Sequence, residues 1–326
     1  MRSGARRARW PEGGPGARVG GRPGPALVLA GVALVLLAGC SVRRFAADRI
    51  GSALAASGSS WTEDDDPELV GDAFPFALKT LEGLLAESPE NPVLLLGACR
   101  GFAGYAAGFV APEAEALPAI EFERAQEIRA RALRLHLRAL GYCRRALELR
   151  SPGAVEALSR SPETALGFAG REDVELLYWT GAAWGSAVAL GLDRPELVAD
   201  LPAVRSLFES ALALDPGWDR GALEEALIPL DALSPMLGGS PERARERYER
   251  AVELSAGRRA SPHVTWAASA AVAAQDRRGF RVALGRALAV DPDASPPDRL
   301  GNHLAQRRAR SLLERADDLF FDEEGE

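Results

Sequence analysis

The side chains in this sequence that could do chemistry are aromatic, cationic and thiol groups, and their spacing points to binding rather than catalysis. His136, His263 and His303 are scattered, with no nucleophile-bearing word beside any of them. No Cys-x-x-Cys or His-Glu-x-x-His is present, so neither a metal site nor an activated nucleophile is expected. Acidic pairs such as Asp317-Asp318 read as solvated groups, not as a general acid and base. No enzyme activity and no cofactor is expected. The aromatics are more suggestive. Tyr178, Trp179 and Trp184 are interleaved with Gly181, Ala182, Ala183, Gly185 and Ser186, and Phe102, Tyr105 and Phe109 recur in "GFAGYAAGF" with glycines between them. Large rings beside small residues can wall an apolar cavity or simply fill a helical core, and the same choice applies to Trp266. Near the carboxyl end, Asn302, Gln306 and Arg308 could receive a carboxylate on a ligand or partner, or form an ion-paired outer face.

Those residues need a scaffold, and the first question is where it begins. Residues 1–25 carry six arginines among many Gly and Pro, and Ala26 to Ala38 is an uninterrupted run of 13 apolar or Gly residues. A spanning helix needs about 20 such residues, so the run is too short to cross a bilayer. "LAGC" follows at once, ending at Cys40. A basic segment, a short apolar stretch and small residues before Cys resemble the lipobox of a bacterial lipoprotein signal. The resemblance implies cleavage before Cys40, acylation of its thiol and of the new amino terminus, and a mature chain anchored to a membrane surface. Ser41 in place of Asp favours the outer membrane.

Removing residues 1–39 leaves 33 basic against 45 acidic residues, a net charge of −12. Such a surface repels phosphate backbones and argues against nucleic-acid binding. Beyond Cys40 only Cys99 and Cys143 remain. An oxidising compartment permits a disulfide between them, but the reading favoured by composition is two small apolar core residues.

Strand signals are nearly absent, while Ala, Leu, Glu and Arg dominate. Helix starts recur in a single pattern. Asp66-Pro67, Asn91-Pro92, Ser151-Pro152, Ser161-Pro162, Ser240-Pro241 and Ser261-Pro262 each place a capping side chain before a proline. The words "ALALDP" (211–216) and "ALAVDP" (287–292) are near-copies, and walking back from each proline places apolar or small residues at fixed offsets. Five segments share that frame: Ala77, Leu81, Leu84; Ala139, Cys143, Ala146; Val204, Phe208, Ala211; Ala244, Tyr248, Ala251; and Phe280, Leu284, Ala287. Spacing of i, i+4, i+7 forms one stripe of a helix. This resembles the second helix of the tetratricopeptide repeat. The third positions lie 62, 65, 40 and 36 residues apart, so the array is irregular, with an extra helix pair or a long insertion in each of the first two intervals. One element, Pro118 to Leu149, predicts a helix of about 48 Å. The expected fold is all-α, an irregular tetratricopeptide-repeat-like α-solenoid of stacked helical hairpins with a concave inner surface.

Longer words are more specific. "ELLYWTGAAWGSAVALG" (175–191), "GGSPERARERYERAVELSAGRRASPHV" (238–264), "AAQDRRGFRVALGRALAVDPDA" (273–294) and "RLGNHLAQRRARSLLERADDLFF" (299–321) resemble, in order, the T component family (TatT) associated with TRAP (tripartite ATP-independent periplasmic) transporters. The resemblance implies a periplasmic lipoprotein that oligomerises, as a trimer, works beside a TRAP-type solute-binding protein, and helps move an apolar ligand through an internal cavity. The expected layout is a signal peptide over 1–39, a polar tether over 40–66, a helical domain over 67–321 and an acidic tail over 322–326. A generic adaptor for envelope proteins, with no ligand, is the alternative function.

Overall fold

The structure, a computed structural model, describes Arg49 and residues 58–321. The chain divides into a unit spanning 1–45 and one spanning 46–326, and the described residues all belong to the second. The leader, Cys40, most of the tether and the acidic tail lie outside the described residues. Among those described, every regular element is helical and no strand occurs.

The principal helices are α1 (Pro67–Glu87), α2 (Pro92–Tyr105), α3 (Phe122–Arg150), α4 (Val174–Leu190), α5 (Leu201–Leu214), α6 (Ala222–Asp231), α7 (Pro241–Leu254), α8 (Ser261–Trp266), α9 (Arg277–Ala289) and α10 (Arg299–Glu314). Three cap–proline pairs act as written. Asp66 accepts the amide hydrogen of Leu69, Asn91 those of Val93 and Leu94, and Ser240 that of Arg243, while each following proline occupies the first helical position. The other three differ. Ser261 begins α8 itself and donates its hydroxyl to Glu225. After Ser151 the short helix Ala154–Arg160 starts two residues late, because Gly153 takes a left-handed conformation and Glu148 accepts the amide hydrogens of Gly153 and Val155. Ser161-Pro162 opens a run of turns instead of a helix.

The repeated stripe is buried in four of its five occurrences. Ala139, Cys143 and Ala146 on α3, Val204, Phe208 and Ala211 on α5, Ala244, Tyr248 and Ala251 on α7, and Phe280, Leu284 and Ala287 on α9 all face the core. On α1 the register slips by one: Leu78 and Leu85 are buried while Ala77, Leu81 and Leu84 are half-buried. Helices α2 with α3, α4 with α5, α6 with α7 and α8 with α9 form successive pairs, and each helix packs on the next along the chain. The long first two intervals are insertions, not extra pairs: 106–121 between α2 and α3, then 151–173 and 191–200 around α4.

Cys99 on α2 and Cys143 on α3 are joined by a disulfide, their Cα atoms 5.2 Å apart and both residues fully buried. This corrects the expectation of two unlinked core thiols. Cys143 lies on the repeated stripe, and helices α2 and α3 pack at that level, which brings the two thiols within bonding reach.

Buried side chains form two clusters. One spans α1 to α6 and holds Trp184 with many leucines; the other spans α6 to the carboxyl end and is rich in alanine. Helix α2 runs on through a π-helical turn, Ala106–Val110, into Ala111–Ala116. This 25-residue run, Pro92–Ala116, is long and apolar enough to cross a membrane by length and composition. Much of its apolar surface is used inside the fold, where Leu94, Leu95, Ala98, Cys99, Phe102 and Ala103 are buried. A second π turn, Ala267–Ala271, follows α8.

One contact departs from simple stacking. The last long helix, α10, packs on Ala111–Ala116, on α1 and on the short helix Gly58–Thr62, so the two ends of the described chain meet.

Candidate functional site

A half-open cavity of about 390 Å³ lies at the seam between the ends of the described chain. Its floor is aromatic. Tyr105 and Phe109 stack with centroids 5.9 Å apart, and Phe74 lies 5.9 Å from Tyr105 and 5.8 Å from Phe109. Two glycines allow the approach: a Cβ on Gly71 would sit 2.8 Å from the Phe109 ring, and one on Gly108 would sit 3.2 Å from Leu304 across the seam. The π turn inserts a residue between Tyr105 and Pro112, which re-aims the helix face where the cavity lies.

The opposite wall comes from α10. Arg308 grips Glu115 through two hydrogen bonds, Nε to Oε2 at 2.7 Å and Nη2 to Oε1 at 2.9 Å. Arg307 pairs with Glu68, Arg315 donates to the Glu115 carbonyl, and Arg299 donates to the Glu63 carbonyl at 3.0 Å. The cavity is therefore a slot with an aromatic floor, flanked by charge-assisted bonds between residues far apart in sequence.

The structure brings together three of the residues singled out from sequence, Tyr105, Phe109 and Arg308, at this cavity. The rest lie elsewhere. Phe102 turns away into the core, where it stacks on Tyr142 at 5.8 Å beneath the Arg138 guanidinium. Trp184 is fully buried, its Nε1 donating to Asp200 at 2.9 Å and its ring face covered by Arg144 at 4.2 Å. Trp266 is buried and stacks on Tyr248 at 5.3 Å. Asn302 and Gln306 are buried and spend their amides internally. Asn302 accepts the Ala260 amide hydrogen and donates to the Arg258 carbonyl; Gln306 donates to the Ala287 and Val290 carbonyls at the end of α9. Cys40 lies outside the described residues.

Tyr178 and Trp179 are half-buried on α4 and form a second aromatic group with Trp218, whose ring lies 4.6 Å from that of Tyr178. Burial pushes the Tyr178 phenol well above its ordinary range, and the Glu225 carboxylate nearby adds to it. Burial likewise raises Glu225, against the opposing effect of the Thr265 and Ser261 hydroxyls, each donating to it at 2.9 Å. Next to Trp218, Asp219 and Arg220 have φ of 40° and 53°, a conformation that non-glycine residues rarely hold. Ion pairs hold them there: Arg259 bonds the Asp219 carboxylate and carbonyl, both at 2.6 Å, and Arg220 grips buried Asp298 at 2.6 and 2.7 Å.

Sequence reasoning missed Glu68, Gly71, Asp72, Glu113, Glu115, Leu304 and Arg307 as cavity residues. No local signal could have found them, because the seam joins positions such as 115 and 308 that only tertiary packing brings together.

Among the described residues the architecture is one of paired helices, and no cluster of three or more His, Cys, Asp or Glu side chains is placed to hold a metal ion. Comparison with known proteins narrows this. The sequence model of the TRAP transporter T-component family matches residues 63–320, and the chain belongs to that family. It is also 32% identical over 307 residues to an uncharacterized protein of Treponema pallidum (strain Nichols), covering 88% of this chain and 95% of that one. Membership places the chain in the bacterial envelope as an accessory component of TRAP transport, beside the other parts of that transport system.

Proposed function

We propose that this protein is a membrane-tethered accessory lipoprotein of a TRAP-type uptake system that engages the periplasmic solute-binding protein and holds an apolar small molecule in the seam cavity. The observation that carries the ligand reading is the meeting of Tyr105, Phe109 and Leu304 around about 390 Å³, a size suited to a small organic molecule. Acylation of Cys40 supplies the tether, on the outer membrane, and the working form is a homo-oligomer, the trimer suggested by family likeness. Tetratricopeptide-like pairing of helices supports partner binding on the remaining surface.

Native mass spectrometry of the mature chain, purified without detergent, tests the ligand reading. The expected spectrum carries a retained small molecule that disappears when Gly108→Trp fills the slot against Leu304. An empty wild-type spectrum counts against it.

A second reading, a scaffold without a ligand, draws on a different observation. An apolar groove of about 810 Å³ runs past Leu192, Val198, Leu230 and Met236, and Leu192, Met236 and Leu237 expose much of their side chains. Under that reading Leu237→Glu abolishes capture of the solute-binding protein while Gly108→Trp leaves it unchanged.

A further inference from the structure

The seam cavity has a charge pattern that its apolar floor does not explain. Four carboxylates line it, those of Glu68, Asp72, Glu113 and Glu115, against the two guanidinium groups of Arg307 and Arg308. Arg307 is taken by Glu68 and Arg308 by Glu115 in a two-pronged pair. Asp72 and Glu113 have no ion-pair partner among the described residues, and both are exposed at the cavity. The slot therefore presents negative charge over aromatic rings.

Resting on the ligand reading above, we propose that the occupant is a cationic amphiphile: an ammonium or quaternary amine head facing Asp72 and Glu113, with its apolar body on Tyr105, Phe109 and Leu304. Three physical reasons converge. Unneutralised carboxylates at the mouth of a slot attract a cation and repel an anion. The faces of aromatic rings attract the same charge, as the Arg131 guanidinium 5.8 Å over the Tyr105 ring illustrates. Neither guanidinium that lines the slot is free for an anionic head, which would have to displace Glu115 from Arg308 or Glu68 from Arg307, giving up a charge-assisted bond to gain one.

The test uses the mature chain and three probes of equal chain length below their micelle concentrations: decyltrimethylammonium, decanol and decanoate, each titrated by calorimetry. The expected order is ammonium over alcohol over carboxylate, with the ammonium about tenfold tighter than the alcohol. The double variant Asp72→Asn with Glu113→Gln, both at exposed positions, should bring the three probes within about twofold of one another. Equal binding of all three probes to the wild type, or an ammonium preference that survives the double variant, overturns the head-group assignment and leaves the cavity reading standing. Failure of every probe to bind, or binding that persists in Gly108→Trp, overturns the cavity reading itself.

Discussion

In the amino-terminal core, space is filled by bulk: Trp184, Leu94, Leu95, Leu147, Leu177, Leu207 and Leu227 are all fully buried, and a disulfide crosses between α2 and α3. In the carboxyl-terminal core, Ala260, Ala267, Ala271, Ala283, Ala287 and Ala309 leave little side chain between helices, beside larger groups such as Trp266, Phe280 and Phe320. Small residues let helices approach closely, but they also leave backbone and polar groups with little to cover them. The second region answers with internal hydrogen bonds. Gln306 closes the carbonyl end of α9, Asn302 bridges to Ala260 and Arg258, His263 bonds the Tyr248 hydroxyl at 2.7 Å, and Asp298 collects Arg220, Arg259 and Ser295. One core thus rests on apolar volume and the other on satisfied polarity, and the cost of a mutation should follow that division.

The sharpest way to break the comparison is to attack each region's own device. Trp184→Ala should cost about 3–5 kcal/mol through the cavity it leaves. Asp298→Ala should cost a similar amount for another reason, since it leaves the Arg220 and Arg259 guanidinium groups without their shared buried partner. Urea unfolding measures both. The exposed pair between Arg160 and Glu156 is the control, worth under about 1 kcal/mol. If Asp298→Ala costs no more than that control, the carboxyl-terminal core does not depend on its polar network.

Removing the disulfide, by Cys99→Ala with Cys143→Ala, should lower stability by about 2–4 kcal/mol. Limited proteolysis should then open the amino-terminal half before the carboxyl-terminal half. Equal susceptibility of the two halves would show that the crosslink steadies the whole chain.

Acid probes both regions at once, because each buries one histidine. Burial pushes His136 down to about 4, and burial together with Arg286 does the same for His263. A histidine depressed in the folded state stays neutral while its unfolded counterpart, with its ordinary value of 6.5, takes up a proton. Its contribution to stability is complete above pH 6.5 and declines as pH falls from there to about 4. At pH 5 each should have lost about 1–2 kcal/mol. His263→Gln, which can keep a bond to Tyr248, should flatten its half of that slope in pH-dependent melting curves. An unchanged slope would assign the acid sensitivity to His136 alone.

How much of this was legible in the sequence follows from which interactions are local. The repeated stripe was readable because i, i+4, i+7 spacing is enforced by the helix itself, and burial at Val204, Phe208 and Ala211 follows from it. Its slip on α1 was not readable: α1 has no preceding paired helix, so Leu78 and Leu85 take the inner face instead of Leu81 and Leu84. Caps at Asp66, Asn91 and Ser240 were legible for the same reason of short range, whereas at Ser151 the Glu148 side chain outcompeted the expected cap. Of the site, the rings of Tyr105 and Phe109 were visible as a pattern, but Phe102 is equivalent to them by spacing, and only the π turn and Tyr142 separate it. Arg308 was visible as a charge with no indication of its partner. Glu115 is 193 residues away, and nothing in either neighbourhood names the other.

In an open stack of helices, each repeat leans only on its neighbours, and the outermost members peel first. Here Glu68 and Glu115 hold Arg307 and Arg308, so the outermost members lean on each other. Peeling α1 parts the Glu68 pair and peeling α10 parts both, and either opens the cavity further. Salt, which screens such pairs, should therefore loosen α1 and α10 and widen the cavity together.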